Sequence, residues 1–441
     1  MFIFLVVLVI YSTIYRKKEL LKIVSAVPVD STTLAQIPSC GIHASVDIIT
    51  PVPNSKVFLF TAYLDFRRNR IVRIIGITHR KTSKKLFCLL CFSNDSYSIA
   101  AEIQVHTDHF DFPYATTDLL CNLIDQRIPR FILVYHGFDP IESGPLLPFL
   151  KIKNQEVQLN ALLRTFQYEF VVCISTMFGH YNNVLQFIQM IEMYRILGAQ
   201  KVIIYKTNCS PLVMKVLSYY QKLDIIEIIP WPITKYLNVS LGWNFPVHPG
   251  EIHYHGQLVT LNDCIYRNMY RTRYVCLNDI DEIIIPVAHQ NWHDMMESLR
   301  KQNPEANIFQ FDHHLFPIDM STENSSSESK AWNSVPGINI LQYSYRKISK
   351  RHVFNPVKMI INPRAVIKTS VHSALEYFGK QIQVSMGVGM LCHYRNSTEL
   401  HREKDISVKD KVLWKYKEKL TNRVNHVIDE LGLLDRQEHL R

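Results

Sequence analysis

"YEFVVCISTMFGHYNNVLQFIQMIEMYRILGAQKVIIY", residues 168–205, decides the fold class. It begins with "YEFVVCIS", a continuous apolar run without alternation, the pattern of a strand buried on both faces. Val184, Phe187, Ile188, Ile191, Tyr194 and Leu197 then recur at helical spacing, and Gly198 suits a helix stop. "KVIIY" is a second strand of the same kind. Downstream, "SPLVMKVLSYYQKL" reads as a helix with Pro211 near its start, "DIIEIIP" as a strand, "GQLVTLNDCIYRNMY" as a helix and "RYVCL" as a strand. Alternating strands and helices predict an α/β fold with a parallel, doubly wound sheet.

Upstream the rhythm is different. "KVFLFTAYLDF" and "IVRIIGITHR", joined across "RRNR", read as a hairpin, and "KLFCLLCF", "IAAEIQV" and "RFILVYHG" supply more strands. No helical pattern interrupts them, so a small all-β domain is expected over 51–165, ahead of an α/β domain over 166–400. Residues 17–50, with Pro28, Pro38 and a Ser/Thr cluster, read as a stem. "STENSSSESK" (321–330) reads as a surface loop or lid. In 401–441, Val408, Val412, Tyr416, Leu420 and Val424 form one apolar stripe, so a C-terminal helix is expected there.

Residues 1–16 are almost wholly apolar, and Arg16, Lys17 and Lys18 close the run. The run falls short of the ~20 residues of a spanning helix and reads as a signal or signal-anchor segment leading into the secretory pathway. Sequons at Asn94, Asn238, Asn324 and Asn396 agree with a luminal catalytic domain. Nine cysteines leave at least one unpaired in the monomer. Cys88 and Cys91 lie on a strand, where their side chains point to opposite faces, so they read as structural rather than as zinc ligands. The net charge is +10, from 49 basic and 39 acidic residues, yet the basic residues are scattered. No zinc-finger spacing or aromatic–basic module points to nucleic acid.

The chemistry concentrates in "YVCLNDIDEIIIP" (274–286), at the C-terminal end of a predicted sheet strand, the edge where open α/β sheets bind ligands. Asp279 and Asp281 form Asp-x-Asp. In an extended segment the two carboxylates share one face and Ile280 points away. Burying both unpaired is costly, and a divalent cation removes the cost. Mn²⁺ or Mg²⁺ suits oxygen ligands and leaves positions for phosphate oxygens. His393, in "GMLCHYRN", is a candidate to complete the shell. "KTSVHSALEYF" adds His372 and Glu376, and Arg364, Lys368 and Arg395 are candidate phosphate or acceptor contacts.

These motifs resemble glycosyltransferase family 92. The similarity runs through "VFLFTAYLDFRRNRIVRIIG", "CISTMFGHYNNVLQFIQMIEMYRILGAQKVIIY", "YHGQLVTLNDCIYRNMY", "YVCLNDIDEIIIP" and "KTSVHSALEYF…LCHYRN", about residues 56–396, with "DIDE" after the "GQ…NDC" helix its most specific part. The resemblance implies a GT-A, Rossmann-like nucleotide-sugar domain. It implies an inverting transfer of galactose from UDP-galactose, with a β-linkage to a glycan acceptor such as core fucose, in the Golgi or another secretory-pathway membrane. It makes Asp279, Asp281 and His393 the metal residues. Ser175, Thr176, Gln257, Asp263 and Asp279 become the nucleotide-site residues. An inverting transfer needs a general base, for which Asp312 and Glu376 are candidates. Two other readings remain open from the residues themselves: a catalytically inactive secreted glycan-binding protein on the same fold, and a metal-dependent phosphoester hydrolase.

Overall fold

The computed structural model describes residues 44–82, 84–93, 95–137, 148–155, 165–319, 332–348, 355–397 and 407–434. The expected signal segment, nearly all of the stem and the "STENSSSESK" loop lie outside these residues. Among the described residues no helix is long and apolar enough to cross a membrane.

The first sheet contains β1 (Thr50–Pro51), β2 (Val57–Asp65), β3 (Ile71–His79), β4 (Phe87–Cys91), β5 (Ser96–Ala100), β6 (Glu102–Val105), β7 (Tyr114–Asn122), β8 (Phe131–Tyr135) and β9 (Leu150–Lys153). β2 and β3 form the expected hairpin. The strand order is β5-β4-β8-β9-β2-β3-β7-β6, with β1 on β2. β4 and β7 stand far apart in that order, yet Cys88 on β4 is bonded to Cys121 on β7. The sheet therefore curls over until its distant strands meet. Val57, Leu59, Leu64, Val72, Ile74 and Leu119 fill the enclosed side. Alternation holds along β4: Cys88 faces this interior, whereas Cys91, also disulfide-bonded, packs with Leu89, Leu133 and Phe149.

Polar residues are buried within this sheet as well. Arg73 holds Asp65 at 3.1 Å and Asp118 at 2.5 Å, and His106 lies 3.3 Å from Asp118. Burial alone would push the Asp118 carboxyl up, but His106 and Arg73 outweigh it and pull the value down to about 2. A depressed carboxylate stabilises the fold above its unfolded value near 3.8, and the benefit is lost as pH falls through about 2. The difference is worth about 2 kcal/mol. Denaturant unfolding from pH 5 to pH 2 should show that loss in the wild type and a shallower one in Asp118→Asn. Equal slopes in the two proteins would contradict the assignment.

The second half follows the predicted alternation. It runs β10 (Tyr168–Met177), α1 (Val184–Leu197), β11 (Lys201–Lys206), α2 (Pro211–Lys222), β12 (Ile226–Pro230), α3 (Gln257–Asn268) and β13 (Thr272–Asn278). Gly198 closes α1 with φ 110°, a left-handed conformation that glycine adopts without strain. Beyond β13 come β14 (Glu282–Pro286), α4 (Trp292–Gln302), β15 (Ala306–Pro317), β16 (Tyr345–Lys347), β17 (Val357–Ile361), β18 (Val366–Thr369), β19 (Ala374–Tyr377), β20 (Lys380–Val384), β21 (Gly389–Arg395), β22 (Ser407–Lys409) and α5 (Lys417–Leu431).

The strand order is β12-β11-β10-β13-β17-β15-β21-β14, with β20 on β15. β12, β11, β10 and β13 are parallel neighbours, and the order reverses between β10 and β13. Beyond them β17 runs antiparallel to both β13 and β15. The molecule is a mixed α/β protein, richer in strand than in helix.

The two sheets share a core. Phe60, Tyr63, Ile75 and Ile77 of the first sheet lie in one apolar cluster with Val171, Ile203, Val259, Ile265 and Val275. Hence β2 and β3 are buried along nearly their whole length rather than at alternate positions. The boundary expected near residue 165 is a change of sheet, not a break in the core. α3 lies between the sheets, and Cys173–Cys264 ties it to β10. The expected C-terminal helix is present over a shorter span. Val408 sits on a strand, Val412–Tyr416 form a 3₁₀ turn, and only from Lys417 does the stripe become α5, which packs on α1.

Candidate nucleotide-sugar and metal site

β13 emerges at Asn278, the chain turns through Asp279, Ile280 and Asp281, and β14 begins at Glu282. The Asp-x-Asp is thus a turn rather than the extended segment expected. Ile280 packs against the core, and the two carboxylates take different partners. The turn's backbone is fixed: Tyr194 donates its hydroxyl to the Glu282 carbonyl at 2.6 Å, and the Tyr394 amide donates to the Asp281 carbonyl at 3.1 Å.

Asp281 meets His393, with Oδ2 3.0 Å from Nε2. Glu282 and His393 are cross-strand partners in the antiparallel pair β14–β21. That register brings Glu282 Oε1 within 3.2 Å of His393 Nδ1. β21 also runs parallel to β15, with His393 beside Leu315. His313, two residues earlier on the same face, reaches His393 with ring nitrogens 2.8 Å apart. Glu282, His313 and His393 thus offer buried ligand atoms within 4.8 Å of one another, a cluster that could hold a metal ion.

Asp279 turns to Lys358 instead, at 2.7 Å, and Lys358 also lies 3.4 Å from Glu282. Lys358 stands on β17 beside Phe311, with its side chain only 2% exposed. Burial would lower its pKa, but Asp279 and Glu282 raise it well above the ordinary lysine value, so it stays charged. Burial likewise opposes ionisation of Asp279, and Lys358 reverses that, leaving it below the usual carboxylate range. Burial, with the neighbouring Asp279 charge, holds Glu282 above its ordinary value. Burial disfavours the charged His393, but Asp281 and Glu282 prevail and raise it. His313 is lowered to about 2 by burial and by His393, so it is a neutral imidazole.

Asp279, Asp281 and Glu282 set three carboxyl groups against one buried ammonium, that of Lys358. Negative charge left in a partly buried pocket, faced by a neutral imidazole, fits a divalent cation. The available donors are carboxylate oxygens and imidazole nitrogens.

The nucleotide-site candidates divide. Ile174 pairs with Asn278, so Ser175 and Thr176 continue β10 beside Asp279 at the point where the strand order reverses. Ser175 Oγ lies 3.5 Å from Gln257 Oε1, and Thr176 Oγ1 is buried without a hydrogen-bond partner among the described residues. Asp263 is elsewhere. It is wholly buried and accepts from Tyr63 at 2.6 Å, Tyr205 at 2.5 Å and Arg267 at 2.9 Å. Those bonds pin the first sheet to α3, and no face of Asp263 remains for a nucleotide.

Neither proposed base reaches the cluster. Strand alternation sends Asp312 to the opposite face of β15 from His313. Glu376 is bound by Lys368 at 3.0 Å and by Arg68. Arg364 spends its guanidinium on the carbonyls of Met269, Thr272 and Arg273. His372 does lie near the cluster: burial and Lys358 lower it to about 4, while its Nδ1 lies 3.0 Å from the Val357 carbonyl.

Sequence reasoning missed Lys358, Glu282 and His313 as site residues. Each left a trace, because a lysine inside "VKMII" and a histidine inside "FDHHLF" must find polar partners once buried.

The chain is similar to known proteins over part of its length. The protein named "Beta-1,4-galactosyltransferase galt-1" from Caenorhabditis elegans is 30% identical over 125 residues, 28% of this chain and 26% of that protein. "Galactan beta-1,4-galactosyltransferase GALS2" from Arabidopsis thaliana is 25% identical over 155 residues, 34% of this chain and 27% of that protein. The chain thus spans about a quarter of the length of these relatives. A solved UDP-glucose pyrophosphorylase complexed with UDP-glucose aligns over 60% of this chain and 99% of its own at 8% identity, with a TM-score of 0.23, too low to carry an argument. Residues 168–431, from the first parallel strand through α5, match the model described as "Glycosyltransferase family 92", and the chain belongs to that family.

Proposed function

We propose that this glycosyltransferase moves a hexose, galactose in the first instance, from a UDP-sugar to a glycan acceptor with inversion, on a GT-A-type nucleotide-sugar fold. The observation that carries the reading is the convergence of Asp281, Glu282 and His313 on His393, beyond the end of β13, where the strand order reverses. Asp281, Glu282, His313 and His393 would hold Mn²⁺ or Mg²⁺. Bound there, the cation would neutralise the donor diphosphate and improve it as a leaving group. Lys358 orients Asp279 and Glu282 and holds Asp279 ionised. Ser175 and Thr176, with Gln257 behind them, offer hydroxyls to the nucleoside. The names of the two relatives support a galactosyl donor.

The same reading places the catalytic domain in the lumen of the secretory pathway, the Golgi above all, with residues 1–16 as the membrane attachment. Cys88–Cys121, Cys173–Cys264 and the bonded Cys91 support an oxidising compartment. A panel of UDP- and GDP-sugars, assayed with and without Mn²⁺ for nucleotide release, tests the donor. Release from UDP-galactose that depends on Mn²⁺ is expected. Release from a GDP-sugar, or release indifferent to chelation, would overturn the donor or the metal.

A further inference from the structure

The loop between β12 and α3 carries an apolar crest that the site described above does not use. Leu241 is 74% exposed, Trp243 65% and Val247 64%, within seven residues. Trp231, Trp292 and Trp332, by contrast, are buried. The loop is tied by its own hydrogen bonds. Ser240 donates its hydroxyl to the Gly242 carbonyl at 2.7 Å, and the Val247 and His248 amides donate to the Asn244 carbonyl at 3.0 and 2.7 Å. Gly242 sits so close to His248 that a Cβ there would lie 2.5 Å from the ring, and a Cβ on Gly250 would lie 2.7 Å from Ser240 N.

The first sheet buttresses the loop. Phe112 packs edge-on against Phe245 with centroids 5.1 Å apart, and the Tyr114 amide donates to the Glu251 carbonyl at 2.9 Å. Three large apolar side chains exposed on one hydrogen-bonded loop make it a candidate binding surface.

Its position says what binds. The loop leaves the C-terminal end of β12 and enters α3, whose first residue, Gln257, meets Ser175. Ser240 Oγ accepts from the Tyr254 amide at 2.8 Å, and the Tyr254 ring packs edge-on against Phe178, the residue after β10, with centroids 5.3 Å apart. Tyr254, His255 and Gly256 all have positive φ, and His255 stacks on Phe178 at 3.9 Å. The crest is therefore coupled to the lip of the acidic site through one strained, aromatic turn. Residues 237–252, "LNVSLGWNFPVHPGEI", contain no lysine or arginine, which disfavours an anionic membrane or a nucleic acid. A flat indole beside a neutral apolar rim suits the C–H face of a pyranose ring.

We infer that Trp243, flanked by Leu241 and Val247, is the platform on which the acceptor glycan's sugar rings stack while its hydroxyl faces the donor. This rests on the glycosyltransferase reading of the acidic site.

The test applies the full-length wild type, Trp243→Ala and Trp243→Phe to an array of immobilised neutral oligosaccharides, with thermal melting as the control for folding. Wild-type binding to at least one glycan class is expected, weakened about tenfold or more in Trp243→Ala and largely kept in Trp243→Phe, with melting unchanged. Equal binding by the alanine variant, or no wild-type binding to any glycan, would overturn the platform. So would a loss in Trp243→Ala of binding to phosphatidylcholine vesicles, or of a dimer in sedimentation, without loss of glycan binding. Mn²⁺-dependent nucleotide release by the wild type, measured separately, shows whether the donor site stands when the platform fails.

Discussion

Replacing Asp281 by alanine is expected to lower kcat/KM for sugar transfer by about a hundredfold or more while leaving the melting temperature nearly unchanged. Asp281 lies in a turn with its side chain 30% exposed, and its main chain is held by the Tyr394 amide whatever the side chain. Its one described side-chain bond is to His393. Removing it opens no buried cavity, and the His393 ring keeps Glu282 and His313 at its other nitrogen. His393→Ala should cost at least as much activity, because Asp281, Glu282 and His313 all converge on that ring. It should also cost about 1–3 kcal/mol of stability, since Glu282 and His313 lose a buried partner. The double variant should be little worse than His393→Ala alone, because residues acting as one unit are not additive. Full activity in Asp281→Ala, measured as donor-dependent UDP release, would remove the turn from the mechanism.

The second large effect is structural. Asp263→Ala should destabilise the protein by about 3–5 kcal/mol, because it leaves the Arg267 guanidinium without its buried partner and two tyrosine hydroxyls without an acceptor. Burial alone would raise the Asp263 pKa, yet Arg267 and Lys153 bring it below the ordinary value, so a full negative charge sits inside the protein. Tyr63 comes from the first sheet, and Tyr205 from β11. Their shared acceptor fastens the two sheets across α3. Denaturant unfolding measures the loss. The KM for the sugar nucleotide, measured at a temperature where the variant is folded, should hardly move. A variant of normal stability with a raised donor KM would return Asp263 to the nucleotide site, where the "GQ…NDC" resemblance had put it.

That contrast shows what sequence could and could not reveal here. The parallel half was legible because "YEFVVCIS", "KVIIY" and "RYVCL" are buried on both faces and separated by helical spacing, all local signals. Asp281 and His393 were legible because each is a polar residue set among apolar strand residues. The mixed remainder of that sheet was not. β14, β15, β17 and β21 meet only through registers between segments up to about 110 residues apart, and nothing local encodes that Glu282 faces His393. Asp312 and His313 adjoin in sequence, and only the phase of one strand decides which of them reaches the cluster. The shared core was hidden for a similar reason. β2 and β3 read as strands, but their continuous burial needed a second layer whose existence their own sequence does not state.

The site itself is tested most directly by titrating Mn²⁺ into the full-length protein in the presence of UDP, with free Mn²⁺ followed by electron paramagnetic resonance. The wild type should take up about one ion per chain, and His393→Ala should bind it at least about tenfold more weakly. Equal affinity in the two proteins would contradict the assignment of the Asp281–Glu282–His313–His393 cluster as the cation site on which the proposed transfer depends.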